Sequence, residues 1–244
     1  MKKKYRAVIL ILASNNNQIY KNCRKIWKQY MNVDTSIKVF FVYGKIPPNN
    51  ILECYDPDSD IIFENIEESY PVLIQKTIEA FKIIKTKIEF DFLIRTNLTT
   101  FWDFNKLHLH LHDLPTTNCY SGDGPLPNYN AQGYYLSGTD TIVTPEMISS
   151  IILNEHKVDF QIVEDAAMGK YFHGVFGAPM LPNRICFFED IYSIQEYDKI
   201  INRINNAKQN NKDHYRVKSA SENREIIDYF IYQCLLKNIY NIEI

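Results

Sequence analysis

The sequence predicts an α/β fold in which a mostly parallel central sheet is flanked by helices, and three observations predict it. Residues 7–13 (AVILILA) form an unbroken apolar run of strand length, and residues 37–43 (IKVFFVY) form a second. Unbroken rather than alternating apolarity marks parallel strands covered on both faces. The first hundred residues then read strand, helix, strand, strand, helix, strand, the order of an open sheet with crossover helices. Last, Gly122, Gly124, Pro125, Pro127, Gly133 and Gly138 fall within one short span. The second half is therefore loop-rich, and loops positioned by a rigid sheet are where sites gather.

Each element follows in order. Residues 19–30 are basic and aromatic without Pro or Gly and read as a helix. Gly44 and Pro47-Pro48 close the strand over 37–43. Residues 60–63 form a short strand. A helix follows, with Ser69 as its cap and Pro71 in its first turn. Ile74, Ile78 and Phe81 give that helix an apolar stripe, widened by Leu73 and Ile84. Residues 90–95 (FDFLIR) form the next strand. Pro145 opens a helix through Leu153, and another helix covers about 164–172. The polar tract 202–213 reads as a mobile loop. A helix over about 222–236 closes the chain, and residues 1–244 are expected to form one domain.

The 244 residues carry 27 basic and 29 acidic side chains for a formal net charge of −2, which speaks against nucleic acid or membrane surfaces as partners. The run 7–13 is too short to span a bilayer, so no transmembrane segment is expected. Five cysteines, odd in number and widely spaced without CxxC, argue for reduced thiols and a soluble, cytoplasmic protein. GxGxxG, GxxxxGK[ST], GxSxG and HExxH are all absent, which excludes the common dinucleotide, P-loop, hydrolase and zinc-protease signatures. His108, His110 and His112 alternate with leucines, the pattern of a half-exposed amphipathic element. Asp56, Asp58 and Asp60 form a solvated turn. Trp27, Trp102 and the Tyr134-Tyr135 pair offer rings for sugar stacking, with core packing the default for Trp27.

Ordered motifs along most of the chain resemble the inverting glycosyltransferases of the β1,3-galactosyltransferase and Fringe type. After the first strand come Ser14 and YKNCRKIW, similar to the family's RxxIRxTW at Arg24 and Trp27, and then VFFVYG, similar to a strand ending in Gly. DIIFENIEESYPVLIQKT matches the family's DII…D…DSYxNLTLKT block at Asp60, Ile61, Ile62, Glu68, Ser69, Tyr70, Leu73, Lys76 and Thr77. FLIRTNLTTFW resembles fvlKTDDDvFv at Arg95 and Thr96, with Asn97, Leu98 and Thr99 in place of the acidic triplet. YLSGTDTIVT resembles YCSGGGYVLS at Tyr135, Ser137, Gly138 and Thr144. VEDAAMG resembles EDVyvG at Glu164, Asp165 and Gly169.

The resemblance implies a single GT-A-like domain that transfers a hexose or N-acetylhexosamine from a UDP-sugar to a hydroxyl of a glycan or protein acceptor, with inversion. Asp165 is implied as catalytic base, since one carboxylate must deprotonate the attacking hydroxyl. Donor-binding residues implied are Ser14, Arg95, Asn97, Thr99, Ser137, Gly138 and Glu164, with Arg95, at the end of a strand, equally suited to a structural ion pair. His214, Arg216 and Lys218 join them from the extended segment DHYRVKS, where alternate residues share a side. The family holds Mn²⁺ or Mg²⁺ on its acidic triplet. Neutral Asn and Thr oxygens do not replace paired carboxylates for a hard cation, so no metal ligand is assigned. The chain is expected to be a metal-independent enzyme or, alternatively, an inactive GT-A-like protein that binds carbohydrate or nucleotide sugar. Asp123 and Asp140 are the remaining carboxylates that suit a cation. Hydrolysis of the nucleotide sugar is a third outcome of the same residues.

Overall fold

The computed structural model describes residues 2–46, 52, 55–69, 72–127, 133–181 and 184–244. In chain order its strands are β1 (Lys4–Leu12), β2 (Ile37–Tyr43), β3 (Asp60–Ile62), β4 (Glu89–Asn97), β5 (Thr100–Trp102) and β6 (Tyr120–Ser121). They continue with β7 (Leu126–Pro127), β8 (Tyr134–Tyr135), β9 (Asp140–Val143), β10 (Met180–Leu181), β11 (Ile185–Phe187) and β12 (His214–Arg216). The α-helices are α1 (Gln18–Tyr30), α2 (Leu73–Lys87), α3 (Phe104–Asp113), α4 (Pro145–Leu153), α5 (Glu164–Gly169), α6 (Tyr197–Gln209) and α7 (Arg224–Leu235). The chain divides into two compact units. The first comprises Met1–Ser14, Thr35–Asn97 and Leu114–Asn183, and the second Asn15–Asp34, Leu98–Asp113 and Arg184–Ile244.

The first unit holds a seven-stranded sheet of order β10-β6-β9-β4-β1-β2-β3. β1 pairs in parallel with β2 and β4, and β2 with β3. β9 runs antiparallel to both β4 and β6, and β10 is parallel to β6. The sheet is thus parallel except for β9, as the unbroken apolar runs predict. Ala7 through Leu12 are all buried, which is why β1 carries no alternation. One core cluster joins Val8, Leu10, Val42 and Leu93 of the sheet to Ile74, Ile78 and Phe81 of α2 and to Met147, Ile148 and Ile151 of α4. The expected stripe of α2 is therefore its buried face.

The second unit packs aromatic rings. Tyr30 stacks on Trp27 at 5.0 Å and on Tyr240 at 5.1 Å, and Phe101 lies 4.4 Å from Tyr30. Trp27 Nε1 donates to Leu98 O (3.1 Å), and Tyr240 Oη donates to Trp102 O (2.7 Å), so each polar edge of the cluster is satisfied. The three-stranded sheet β11-β12-β5 belongs to this unit. Trp27 and Trp102 are fully buried: Trp27 packs in the core as expected, whereas Trp102 is corrected from a sugar platform to a core residue. Tyr134 is 57% exposed.

Several local expectations change. α2 begins at Leu73 with Val72 as N-cap and no side-chain cap, so Ser69 does not cap it. Ser69 N instead donates to Glu67 O in a turn. Tyr70, Pro71 and Pro47-Pro48 lie outside the described residues. The polar tract 202–213 is largely helix α6, because Ile200, Ile204 and Ala207 bury one face of an otherwise polar sequence. The histidine tract is α3, with His110 buried and His112 exposed, as an amphipathic element requires. The Asp56 turn is held by Asp58 N and Ser59 Oγ, which donate to the Asp56 carboxylate at 3.0 and 2.6 Å. Cys23, Cys119, Cys186 and Cys234 are free thiols, and Cys54 lies outside the described residues. Among the described residues no helix is long and apolar enough to cross a membrane.

Candidate functional site

Strand order reverses at β1, whose neighbours β2 and β4 lead away in opposite directions. In open α/β sheets the crevice beyond the carboxyl ends of such strands is where ligands bind. β1 and β4 end together, Leu12 opposite Asn97. Ser14 follows β1, and its Oγ is enclosed without a hydrogen-bond partner among the described residues. Because β9 runs the other way, its first residue, Asp140, pairs with Thr96 at the carboxyl end of β4. The loop 137–139 is thereby brought to the same edge, and Thr96 Oγ1 fixes it by donating to Thr139 O at 2.5 Å.

Arg95 organises this edge. Its Nε and Nη2 donate to the two oxygens of Glu164 at 2.9 and 2.5 Å, and Nη1 donates to Asn97 Oδ1 at 3.0 Å. Thr77 Oγ1 completes the Glu164 carboxylate at 2.9 Å. Both charged side chains are at most 5% exposed. Burial pushes the Glu164 carboxyl up from its ordinary range, and the Arg95 charge opposes that shift. Arg95 was expected either to hold a diphosphate or to serve as a structural ion-pair residue at the end of its strand. Its burial and its commitment to Glu164 and Asn97 make it an internal tie, and Glu164 likewise meets Arg95 and Thr77 rather than solvent.

Gly138 is required by this tie. A Cβ there would fall 2.7 Å from Arg95 Cζ and closer still to Nη1, so only glycine lets the backbone pass the guanidinium. Gly138 N in turn donates to Asp165 Oδ2 at 3.4 Å, and Asp165 Oδ1 accepts from Ala166 N at 3.0 Å. Asp165 is half-buried, unlike its neighbour Glu164. Ser137 Oγ accepts from Thr139 Oγ1 at 3.1 Å. The expected residues Arg95, Asn97, Ser137, Gly138, Glu164 and Asp165 are thus joined in one bonded group within the first unit.

The carboxyl ends of β1 and β2 are tied separately. Lys76 Nζ donates to Ala13 O at 3.2 Å and to Glu68 Oε1 at 2.5 Å, while Gly44 N donates to the same oxygen. Burial lowers the Lys76 ammonium below its ordinary range, and Glu68 opposes that. Lys76, Thr77 and Glu68 all fall in the EESYPVLIQKT block. Glu68 and Lys76 thus pair within the block, whereas Glu164, the partner of Thr77, lies 87 positions away and was not visible as such in the sequence.

Of the remaining carboxylates, that of Asp140 is tied locally. Asp140 is buried and its Oδ1 accepts from Thr139 Oγ1 (2.8 Å) and from Asp123 N (3.1 Å).

The other expected residues belong to the second unit. Arg216 Nη1 donates to Thr99 Oγ1. His214 is wholly buried, stacked on Trp102 at 4.3 Å, with Nδ1 2.6 Å from Asp213 Oδ1. Asp213 Oδ2 lies 2.5 Å from His110 Nδ1. His214 is therefore part of a buried His–Asp–His core rather than a residue open to a diphosphate. Lys218 is exposed, so strand alternation does not gather the three cations on one accessible side.

No protein-family model and no curated protein matches this chain. Among solved structures, a glycosyltransferase involved in the glycosylation of the major capsid of PBCV-1 matches with a TM-score of 0.49 at 10% identity, over 92% of this chain and 98% of that one. The apo-form glycosyltransferase GlyE of Streptococcus pneumoniae matches with a TM-score of 0.49 at 12% identity, over 98% of this chain. This chain spans 64% of the GlyE chain. Likenesses this distant assign no residue role.

Proposed function

We propose that the chain is an inverting glycosyltransferase acting from a UDP-sugar, a hexose or N-acetylhexosamine donor, on a glycan or protein hydroxyl, with Asp165 as base. The observation that carries the reading is the contrast between two adjacent carboxylates. Glu164 is buried and spent on Arg95 and Thr77, whereas Asp165 is half-buried and, among the described residues, receives two backbone N–H groups. A base needs an accessible oxygen held in a fixed direction, and Asp165 alone of the pair offers one. The ordered motifs of the β1,3-galactosyltransferase and Fringe type support the same assignment.

In the proposed reaction Asp165 takes the proton of the acceptor hydroxyl. The oxygen attacks the anomeric carbon, the bond from that carbon to the diphosphate breaks, and UDP leaves with the electron pair. Ser14 Oγ and Asn97 border the donor at the ends of β1 and β4. Arg95 is a positioning residue that sets Asn97 and the 164–165 pair. The strand that carries the family's cation ligands does not fit Mn²⁺ or Mg²⁺ here. Asn97 offers a neutral oxygen already facing a guanidinium, and hard divalent cations want several anionic or carbonyl oxygens. The transfer is therefore proposed to proceed without a cation on β4.

UDP release across a panel of UDP-sugars, with EDTA or Mn²⁺ and with Asp165→Asn as control, tests the reading. Release that survives EDTA and falls about 10²- to 10⁴-fold in Asp165→Asn is expected. Release abolished by EDTA sinks the cation-free mechanism. No release from any donor with a broad acceptor mixture sinks the transferase and leaves a binding protein; release that needs no acceptor marks a hydrolase.

A further inference from the structure

Beside α6 the second unit opens a groove of 640 Å³, floored by β11 and walled by one face of the helix. Asn202, Arg203, Asn206 and Asn210 line it. Asn202, Asn206 and the C-cap Asn210, spaced four apart, follow one stripe, with Arg203 beside it. The opposite stripe, Ile200 and Ile204, is buried, so packing does not explain the amides. Asparagine is a poor residue for a helix interior, because its side chain competes for the backbone, and no cap role accounts for Asn202 or Asn206.

The chemistry of the lining is specific. Asn210 Nδ2 donates to Asn206 O at 2.9 Å and also to Asn206 Oδ1, which fixes the two amides relative to each other. Arg203 is held as a planar fork by Asp190 and Phe187 O. Phe187, from β11, lines the same groove and is 38% exposed. Burial pushes the Cys186 thiol up to about 11, which keeps it protonated, and Lys199 and Lys212 add cationic donors to the lining. Rigid planar donors and acceptors beside a half-exposed aromatic ring match a polyhydroxylated ring, whose hydroxyls bond to amides and guanidinium and whose C–H face covers an aromatic. The volume is that of a small-ligand site.

We infer that this groove is a saccharide-binding site of the second unit. None of its residues belongs to the set given a part in the reaction.

The test is NMR titration of the full chain, with the side-chain amide signals of Asn202, Asn206 and Asn210 as reporters. Cellotetraose, maltotetraose, chitotetraose and inorganic phosphate are the probes. At least one tetrasaccharide is expected to shift those signals with a Kd at or below about 10 mM. Phe187→Ala with Asn206→Ala is expected to weaken it at least about tenfold, and Asn202→Leu, a surface change that leaves the fold intact, to weaken it independently. No shift with any tetrasaccharide, an undiminished affinity in both variants, or a response to phosphate alone overturns the inference. UDP affinity measured on the same samples separates the two ideas. UDP binding without saccharide binding sinks the groove only, and saccharide binding at the groove without UDP binding supports the groove while sinking the transferase.

Discussion

At the scale of single residues, the Arg95–Glu164 pair sets what its neighbours do. Removing one member of a buried pair leaves the other charge without compensation. Glu164→Gln is therefore expected to cost about 3–5 kcal/mol of stability, measured by urea unfolding. Arg95→Met combined with Glu164→Met is expected to recover much of that loss, since both charges leave together. A single variant as stable as the parent sinks the buried-pair account. Gly138→Ala is expected to cost about 1–3 kcal/mol, because its Cβ must displace a guanidinium that Glu164 holds in place. The same variant is expected to lower UDP release, because the backbone shift that clears the guanidinium moves the 138 N–H away from Asp165 Oδ2. Unchanged stability and release together contradict the close-approach argument. The sequence pointed to residues 95, 97, 137, 138, 164 and 165 as one site. It did not show that Arg95 and Glu164 spend their charges on each other, since the choice between ligand and ion pair is made by burial.

At the scale of elements, local rules decided the ends that lie far from packing constraints. α1 starts where Asn17 Oδ1 accepts from Tyr20 N at 2.9 Å, one residue before the expected start. Asn17→Ala is expected to destabilise by about 1 kcal/mol in thermal or urea melts, and Asn17→Ser by only tenths; equal losses would remove the cap from the explanation. α2 went the other way: Ser69 looks like a cap, yet the helix begins four residues later. α6 shows the reverse error, since its polar sequence reads as a loop. Its isoleucines at 200 and 204 carry the helical period, but asparagines on the exposed face dilute the signal. Gly169 illustrates a constraint between elements. A Cβ there would lie 2.7 Å from Tyr135 Cα, so α5 passes close against β8 only with glycine at that point.

At the scale of the whole molecule, the buried Asp213 couples stability to pH. Burial by itself would raise its carboxyl, but the charges of His214 and His110 and their hydrogen bonds outweigh that and lower it from 3.8 to about 2. A carboxylate with a depressed folded-state pKa stabilises above its unfolded pKa and loses that contribution as pH falls through the folded value. The contribution is thus complete above about pH 4, is lost between pH 4 and 2, and amounts to about 2 kcal/mol. Urea unfolding of the parent and Asp213→Asn from pH 7 to 2 is expected to show a gap that closes over that interval. A gap independent of pH would rule out the charge as its source. This core was hidden in the sequence because His110 and Asp213 are 103 positions apart, and because DHYRVKS equally well describes an open cationic strand.

The sequence by itself determined the parallel sheet, the order of its early strands, the buried face of α2 and the group of residues at the carboxyl edge of β4. Those features rest on local apolar patterning and on motifs whose members are close in the chain. Only the tertiary structure decided which carboxylate of the 164–165 pair is buried, that His214 is core rather than ligand, and that the polar tract is a helix facing a groove. Each of those outcomes turns on desolvation and on partners many residues away. Desolvation is a property of the packed chain, and no short stretch of residues encodes it alone.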